Sequence, residues 1–281
     1  MDSRFTLEKR IESELKSYDG QMCIYADDFH GNVISLDADE KVETASTVKV
    51  YILACLFQQT ERGRASLEDL LTYEEKHVVD GSGVLCALEP GAVLRVRDAA
   101  TLMIIVSDNI ATNMMIDYLG IDTINACIQE LGCKDTVLYN PLHFDQYERL
   151  GTTTARDYSG IFIRLAKGEL INPRADQKMI EILKKQHYNS MLTRNFPPVY
   201  MDSDNADEVL IHVASKSGSM DACRNDGGII FTPYGPYVLV MLNKDFSDAM
   251  YYPDHPATVF GARVSRMLLD QFLALEGRFL L

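Results

Sequence analysis

The chain has 281 residues, of which 47% are hydrophobic and 24% charged, with a formal net charge of −14. That length buries a sizeable core, as one compact unit or two intimate ones, and the acidic balance argues against a nucleic-acid surface, which needs clustered Lys and Arg against phosphate. No run approaches the ~18 uninterrupted apolar residues of a membrane span.

The first ten residues, MDSRFTLEKR, lack the apolar stretch of a secretion signal. The expected location is therefore cytoplasmic, or periplasmic or secreted if a leader precedes this sequence. Residues 3–17 carry Leu7, Ile11 and Leu15 at steps of four, an amphipathic helix. Met22–Asp28 and Val33–Asp37 follow as strands, with Phe29-His30-Gly31-Asn32 as the hairpin turn between them. From Ser46 to about Asp117 the pattern is helical, broken at Gly63, at Asp80-Gly81-Ser82-Gly83 and at Pro90-Gly91. Further helices are expected over Asp122–Leu131, Thr154–Ala166 and Pro173–Lys185, with Asp122 and Thr154 as caps. After Pro197-Pro198 the period falls to two, and Val209–Ser215, Gly228–Thr232 and Tyr237–Leu242 are expected strands. A closing helix, Ala257–Leu275, carries Val264, Leu268, Phe272 and Leu275 on one stripe.

Strands from both ends of the chain thus flank a helical middle. The expected fold is α+β: one antiparallel five-stranded sheet covered by the terminal helices, with an inserted all-helical domain. Residues 1–45 and 200–281 form the sheet domain in this reading and 46–199 the helical one, with the active site between them. The six cysteines (Cys23, Cys55, Cys86, Cys127, Cys133, Cys223) form no Cys-x-x-Cys pair, so free, mostly buried thiols are expected. The six histidines are dispersed without ligand spacing, so neither a metal nor another cofactor is expected.

Three short motifs carry chemistry. In Ser46-Thr47-Val48-Lys49, Ser and Lys at i and i+3 share one helix face. A serine hydroxyl is a weak nucleophile until a base takes its proton, and Lys49 is that base if burial or nearby cations lower its pKa. The apolar run Val50–Cys55 that follows marks this helix as buried. A second Ser-x-x-Lys, Ser13 to Lys16, falls on the exposed side of the first helix and is read as solvated surface. Ser107-Asp108-Asn109 stands between the apolar run Leu102–Val106 and the helical Ile110–Leu119, a turn in which Ser107 or Asp108 caps the next helix. Its second copy, Ser203-Asp204-Asn205, lies in an acidic stretch read as an exposed loop. Lys216-Ser217-Gly218 ends a strand. There Lys216 and the Ser217 hydroxyl suit a substrate carboxylate, and Gly218 removes a side chain where a substrate backbone must approach the sheet edge. Backbone N–H groups of Ser46 and Ser219 are candidates for an oxyanion hole. Taken singly, each motif has a plainer reading as a cap, a turn or an exposed cation.

In this order, each in its expected element, the three motifs resemble those of the penicillin-recognising serine hydrolases, most closely the class A β-lactamases. Gly151-Thr-Thr-Thr-Ala-Arg-Asp157 is similar to the family's Thr-rich segment, and Asp226-Gly-Gly-Ile-Ile230 to the strand after its Lys-Ser-Gly. The resemblance covers roughly Gln21 to Leu275. It implies a serine hydrolase working through a Ser46 acyl-enzyme on a β-lactam or related amide that bears a carboxylate. It further implies that Ser107 passes a proton to the leaving group, that Asn109 holds Lys49 and the substrate amide, and that Asp108 stabilises the turn.

Two features depart from the family. No Glu-x-x-Leu-Asn occurs in the short run from Lys134 to Gly151, where the family keeps the Glu that positions the deacylating water. Glu148, Asp145 and, more remotely, His143 are the candidates there. The arginine that often precedes the Gly-Ile-Ile strand is replaced by Gly227, with Arg224 near enough to substitute. Both gaps fall on deacylation and substrate choice. They leave room for a D-alanyl-type peptidase or small-ester hydrolase of the same fold, or for a sensor that acylates without turnover.

Overall fold

The computed structural model describes residues 6–146, 149–202 and 208–279. Helix α1, Leu7–Leu15, starts where the Thr6 hydroxyl accepts the Lys9 N–H at 3.4 Å, and it buries Leu7 and Ile11. Strands β1 (Gln21–Asp27) and β2 (Val33–Leu36) form the expected hairpin, its turn using positive φ at Phe29 and Gly31. The short β3, Val42–Glu43, leads through a one-turn 3-10 segment, Ala45–Thr47, into α2, Val48–Glu61. Every residue of α2 from Val48 to Phe57 is buried, which is why its sequence shows no polar face.

The stretch from Arg62 to Arg95 departs from the helical expectation. It holds two isolated 3-10 turns and a two-stranded hairpin, β4 (Leu70–Thr72) with β5 (Val93–Arg95). Gly63, Gly81, Gly83 and Gly91 all take positive φ here, so no helix can propagate through them. Leu70, Val78, Val84, Leu88 and Val93 remain exposed, while Tyr73 and Leu85 reach the core.

Helices α3 (Val96–Ile105), α4 (Asn109–Leu119) and α5 (Ile121–Glu130) follow. Asp122 is not the cap of α5: Gly120, at φ +81°, takes that position, and Asp122 lies in the first turn beside the positive end of the helix dipole. Strands β6 (Val137–Leu138) and β7 (Gly151–Thr153) join β3 in a small sheet of order β3-β7-β6. Next come α6 (Ala155–Lys167), capped by Thr154 as expected, α7 (Pro173–Leu183) and the single turn α8 (Pro198–Met201).

The main sheet closes with β8 (His212–Ser215), β9 (Gly218–Met220), β10 (Cys223–Thr232) and β11 (Gly235–Lys244), and α9 (Pro256–Ala274) ends the fold. Its order is β2-β1-β11-β10-β8, antiparallel throughout, with β9 continuing along β10 beyond β8. The sheet is thus five strands wide, and Lys216-Ser217 is the break in its β8–β9 edge. β10 begins five residues earlier than expected because Arg224, Asn225 and Asp226 are buried within it as satisfied polar groups.

The sheet separates two cores. On one face α1 and α9 pack with Ile24, Tyr237, Leu239 and Phe272. On the other, α2 and α6 join the remaining helices over Cys23, Ile229, Val238 and Val240. All six cysteines are free thiols, five of them buried. Among the described residues no helix is long and apolar enough to cross a membrane.

Candidate active site

Ser46 stands on the 3-10 turn between β3 and α2. Thr44 N–H donates to the Gly151 carbonyl at 2.9 Å, and the Thr47 N–H and hydroxyl both donate to the Thr44 carbonyl, at 3.1 and 2.6 Å. Asn225 Nδ2 donates to the carbonyls of Glu43 (2.8 Å) and Thr44 (3.4 Å), which ties the turn to β10. Ala45 is held at φ +45°, a left-handed conformation that costs a residue with a Cβ about 1–2 kcal/mol. Gly218 lies directly against this turn. A Cβ there would come 2.7 Å from Ser46 N and 2.8 Å from Thr47 N. The chain's own backbone therefore requires the glycine, a cause additional to the expected approach of a substrate.

One helical turn on, Lys49 is fully buried. Its Nζ donates to the Ser107 carbonyl (2.7 Å), to Ser107 Oγ (3.0 Å) and to Asn109 Oδ1 (2.8 Å). Burial, and then the nearby Lys216 ammonium, hold its pKa well below the ordinary lysine value, with Asp108 opposing. Ser107 itself sits at φ +53° in the turn between α3 and α4. The adjoining Asp108 caps α4, its Oδ1 accepting Ala111 N–H at 2.9 Å. Its Oδ2 accepts the N–H groups of Val84 (2.7 Å) and Leu85 (2.8 Å) from the preceding loop. Asn109 N–H donates to the Ser82 carbonyl (2.9 Å), and Asn109 Nδ2 to the Asp80 carbonyl (3.0 Å).

Lys216 is also fully buried, with its Nζ donating to the Ser217 carbonyl at 2.6 Å. The Tyr158 hydroxyl donates to the Lys216 carbonyl at 2.7 Å, anchoring the strand break to α6. Burial pushes the Lys216 pKa down to about 7, against the pull of the Asp226 carboxylate. Burial likewise pushes Asp226 up to about 6, although it accepts the N–H groups of Leu192 and Gly227 and feels Lys216.

A cavity of about 1240 Å³ opens in front of this cluster. Ser46, Asn109 and Ser219 line it, and so does Glu43. Lys49, Ser107 and Lys216 are buried immediately behind that wall, and Ser217 is half-buried. Tyr139, Leu142, Phe144 and Leu150 give the cavity an apolar side, and Lys41, Arg149 and Lys244 bring cations to it.

The remaining candidates lie elsewhere. Arg224 is buried and does not itself line the cavity. Its guanidinium donates to the carbonyls of Met220, Cys223, Ala249 and Met250 and covers the Tyr251 ring at 4.2 Å. It is thereby committed to holding the loop after β11, not to replacing a substrate-binding arginine. Glu148 lies outside the described residues, and so does the second Ser-Asp-Asn copy, Ser203-Asp204-Asn205. Asp145 is exposed, His143 half-buried, and neither lines the cavity. Ser13 and Lys16 are exposed on α1 and its end, as expected of solvated surface. Among the described residues no group of three His, Cys, Asp or Glu side chains gathers as a metal site. Sequence reasoning missed Glu43, Asn225 and Tyr158. Only Glu43 carried a signal, an acid three positions ahead of the serine.

The chain matches the sequence profile of the beta-lactamase enzyme family over residues 6–272. Among solved structures it is similar to a beta-lactamase from Sphaerobacter thermophilus, at 25% identity and a TM-score of 0.83, over 97% of this chain and 98% of that one. It is similar to PBP-A at 27% identity and a TM-score of 0.82, over 95% and 96% of the two chains. A PBP-A mutant captured as an acyl-enzyme complex with penicillin G aligns equally far, at 27% identity and a TM-score of 0.81. No functionally curated protein matches the chain.

Proposed function

This chain belongs to the beta-lactamase enzyme family and is a serine hydrolase, and from that premise we propose that Ser46 is its nucleophile, acting on a β-lactam or related amide. Ser46 Oγ attacks the carbonyl carbon as Lys49, in its neutral form, takes the hydroxyl proton. The N–H groups of Ser46 and Ser219 hold the oxyanion, a contribution on the order of 3 kcal/mol per donor. Ser107 Oγ, 3.0 Å from Lys49 Nζ, hands the proton on to the leaving nitrogen. Lys216 and the Ser217 hydroxyl bind the substrate carboxylate from the sheet edge. Asn109 holds Lys49 through Oδ1 and the substrate amide from the cavity wall. Gly218 lets the two backbones meet. The cleft so formed lies between the sheet domain, 1–45 and 200–281, and the helical domain, 46–199.

One observation carries this reading. Lys49 is fully buried, fixed by Ser107 and Asn109, and depressed in pKa by burial and by Lys216. A lysine so placed beside a serine turn is a base, since an ammonium held there solely as structure would lie next to a countercharge. The test is turnover of a chromogenic cephalosporin by wild type and by Ser46→Ala. Loss of turnover in the variant is expected, and equal rates overturn the assignment. Lys49→Met is expected to slow acylation by about 10²–10⁴-fold, the usual range for removing a general base.

The likeness to PBP-A and the absence of Glu-x-x-Leu-Asn ahead of β7 favour a second reading, a D-alanyl-type peptidase or small-ester hydrolase. Intact-protein mass spectrometry after penicillin exposure separates the two. A long-lived adduct favours the peptidase, and rapid clearance favours a lactamase.

A further inference from the structure

We propose that Glu43 is the general base that activates water for release of the acyl group from Ser46. The inference rests on the Ser46 acyl-enzyme just described. A serine acylated through its oxygen is an ester, and its hydrolysis needs a group that takes a proton from the attacking water.

That group must reach the same cavity as Ser46, and the side chain that acylation leaves idle there is Glu43. Of the acids lining the cavity, Asp221 and Asp245 belong to the far wall of β10, β11 and their loops, whereas Glu43 is three residues from the nucleophile. Its carboxylate is oriented by backbone. Oε1 accepts the N–H groups of Gly151 (3.0 Å) and Leu150 (3.3 Å), and the carboxylate also takes the Ala45 N–H, one residue before Ser46. The β3–β7 pairing, Glu43 opposite Thr152, fixes the side chain from both strands. A carboxylate held on one oxygen by two peptide donors, and half-exposed to the cavity, keeps lone pairs free for a water.

Burial raises the Glu43 pKa above the ordinary glutamate value, while the three N–H groups and the Arg149 guanidinium oppose the shift. A more basic carboxylate is better matched to proton abstraction near neutral pH. The titratable groups around it are Arg149, just before β7, and the Cys223 thiol on β10, with Lys41 and Lys244 further along the cavity. In the proposed step the water oxygen bonds to the acyl carbon as Glu43 takes one of its protons. The ester bond to Ser46 Oγ then breaks, that proton goes to the departing Ser46 oxygen, and the product leaves as the free acid.

The test is a pulse-chase on the intact protein with benzylpenicillin, followed by mass. In Glu43→Gln an amide oxygen can still accept from Leu150 and Gly151, so the β7 contacts are kept while the titratable group is lost. The variant is expected to form the Ser46 adduct and to clear it about 10²–10⁴-fold more slowly than wild type. Wild-type clearance is expected to fall as pH drops through the raised Glu43 pKa, and clearance by the variant to be flat over that range. Equal clearance by the two proteins, or equal pH profiles, overturns the proposal. So does a variant that loses adduct formation and clearance in the same proportion, since that marks Glu43 as a support of the turn. Failure of the underlying serine reading looks different: adduct in wild type and Ser46→Ala alike, or in neither.

Discussion

The buried pair Lys216 and Asp226 sets how the site should respond to pH. Both shifts run against the charged forms, to about 7 for the lysine and about 6 for the aspartate, so burial outweighs their mutual attraction. An anion-binding lysine works as the ammonium, so affinity for a carboxylate falls as pH rises through about 7. Lys49 titrates in the opposite functional sense, because the base proposed for Ser46 must be neutral to take its proton. The profile of kcat/KM against pH is expected to be a bell, ascending with Lys49 and descending with Lys216. Asp226→Asn removes the charge that supports the Lys216 ammonium, so the descending limb should move to lower pH. An unmoved descending limb would separate Lys216 from substrate binding. Little of this electrostatic detail is legible in the sequence. Ser46, Lys49, Ser107 and Lys216 stand out in the sequence because each motif is local. Glu43 acquires its setting only when β3 pairs with β7, a contact across 108 positions.

At the scale of elements, the turn between α3 and α4 shows how much one side chain can organise. Asp108 caps α4 and also gathers Val84 and Leu85, so a single carboxylate fixes both the helix start and the loop that faces the cavity. Gly83 is forced to be glycine by the same carboxylate, since a Cβ there would fall 2.4 Å from it. Asp108→Ala is expected to cost about 1 kcal/mol for the cap and about 1–3 kcal/mol for each buried N–H left unpaired. Chemical denaturation should show a loss of several kcal/mol together with slowed acylation, because Asn109 and Ser107 share the turn. A cost below about 1 kcal/mol would show that water replaces the carboxylate at all three donors. The sequence makes α4 and its cap legible, since Asp before an apolar run is a standard start. It misleads between Arg62 and Arg95, where a stretch read as helical is a short hairpin and glycine-rich turns. It also shortens β10, because Arg224, Asn225 and Asp226 look like a loop until their partners from other segments are in place.

For the molecule as a whole, the sheet is a partition with the site on one side only. The outer face is closed by the two ends of the chain: α1 against α9, and Phe279 packed against both Tyr237 and Phe272, with ring centroids 5.4 and 5.7 Å away. Asp28 fastens that tail by accepting the Phe279 N–H at 3.0 Å. Phe279→Ala is expected to lower stability by about 3–5 kcal/mol, the cost of emptying a buried aromatic site. Because Phe279 lies across the sheet from Ser46, kcat should be unchanged below the new melting temperature. A fall in kcat without a fall in stability would show that the two faces are coupled. The free thiols follow the same partition. The five buried cysteines all belong to the site-bearing core, and none belongs to the layer under the terminal helices. Alkylating reagents therefore act as one-sided spies: a burst of five newly labelled sulfurs reports that the catalytic half has come apart, while fraying of the outer layer passes them silently by.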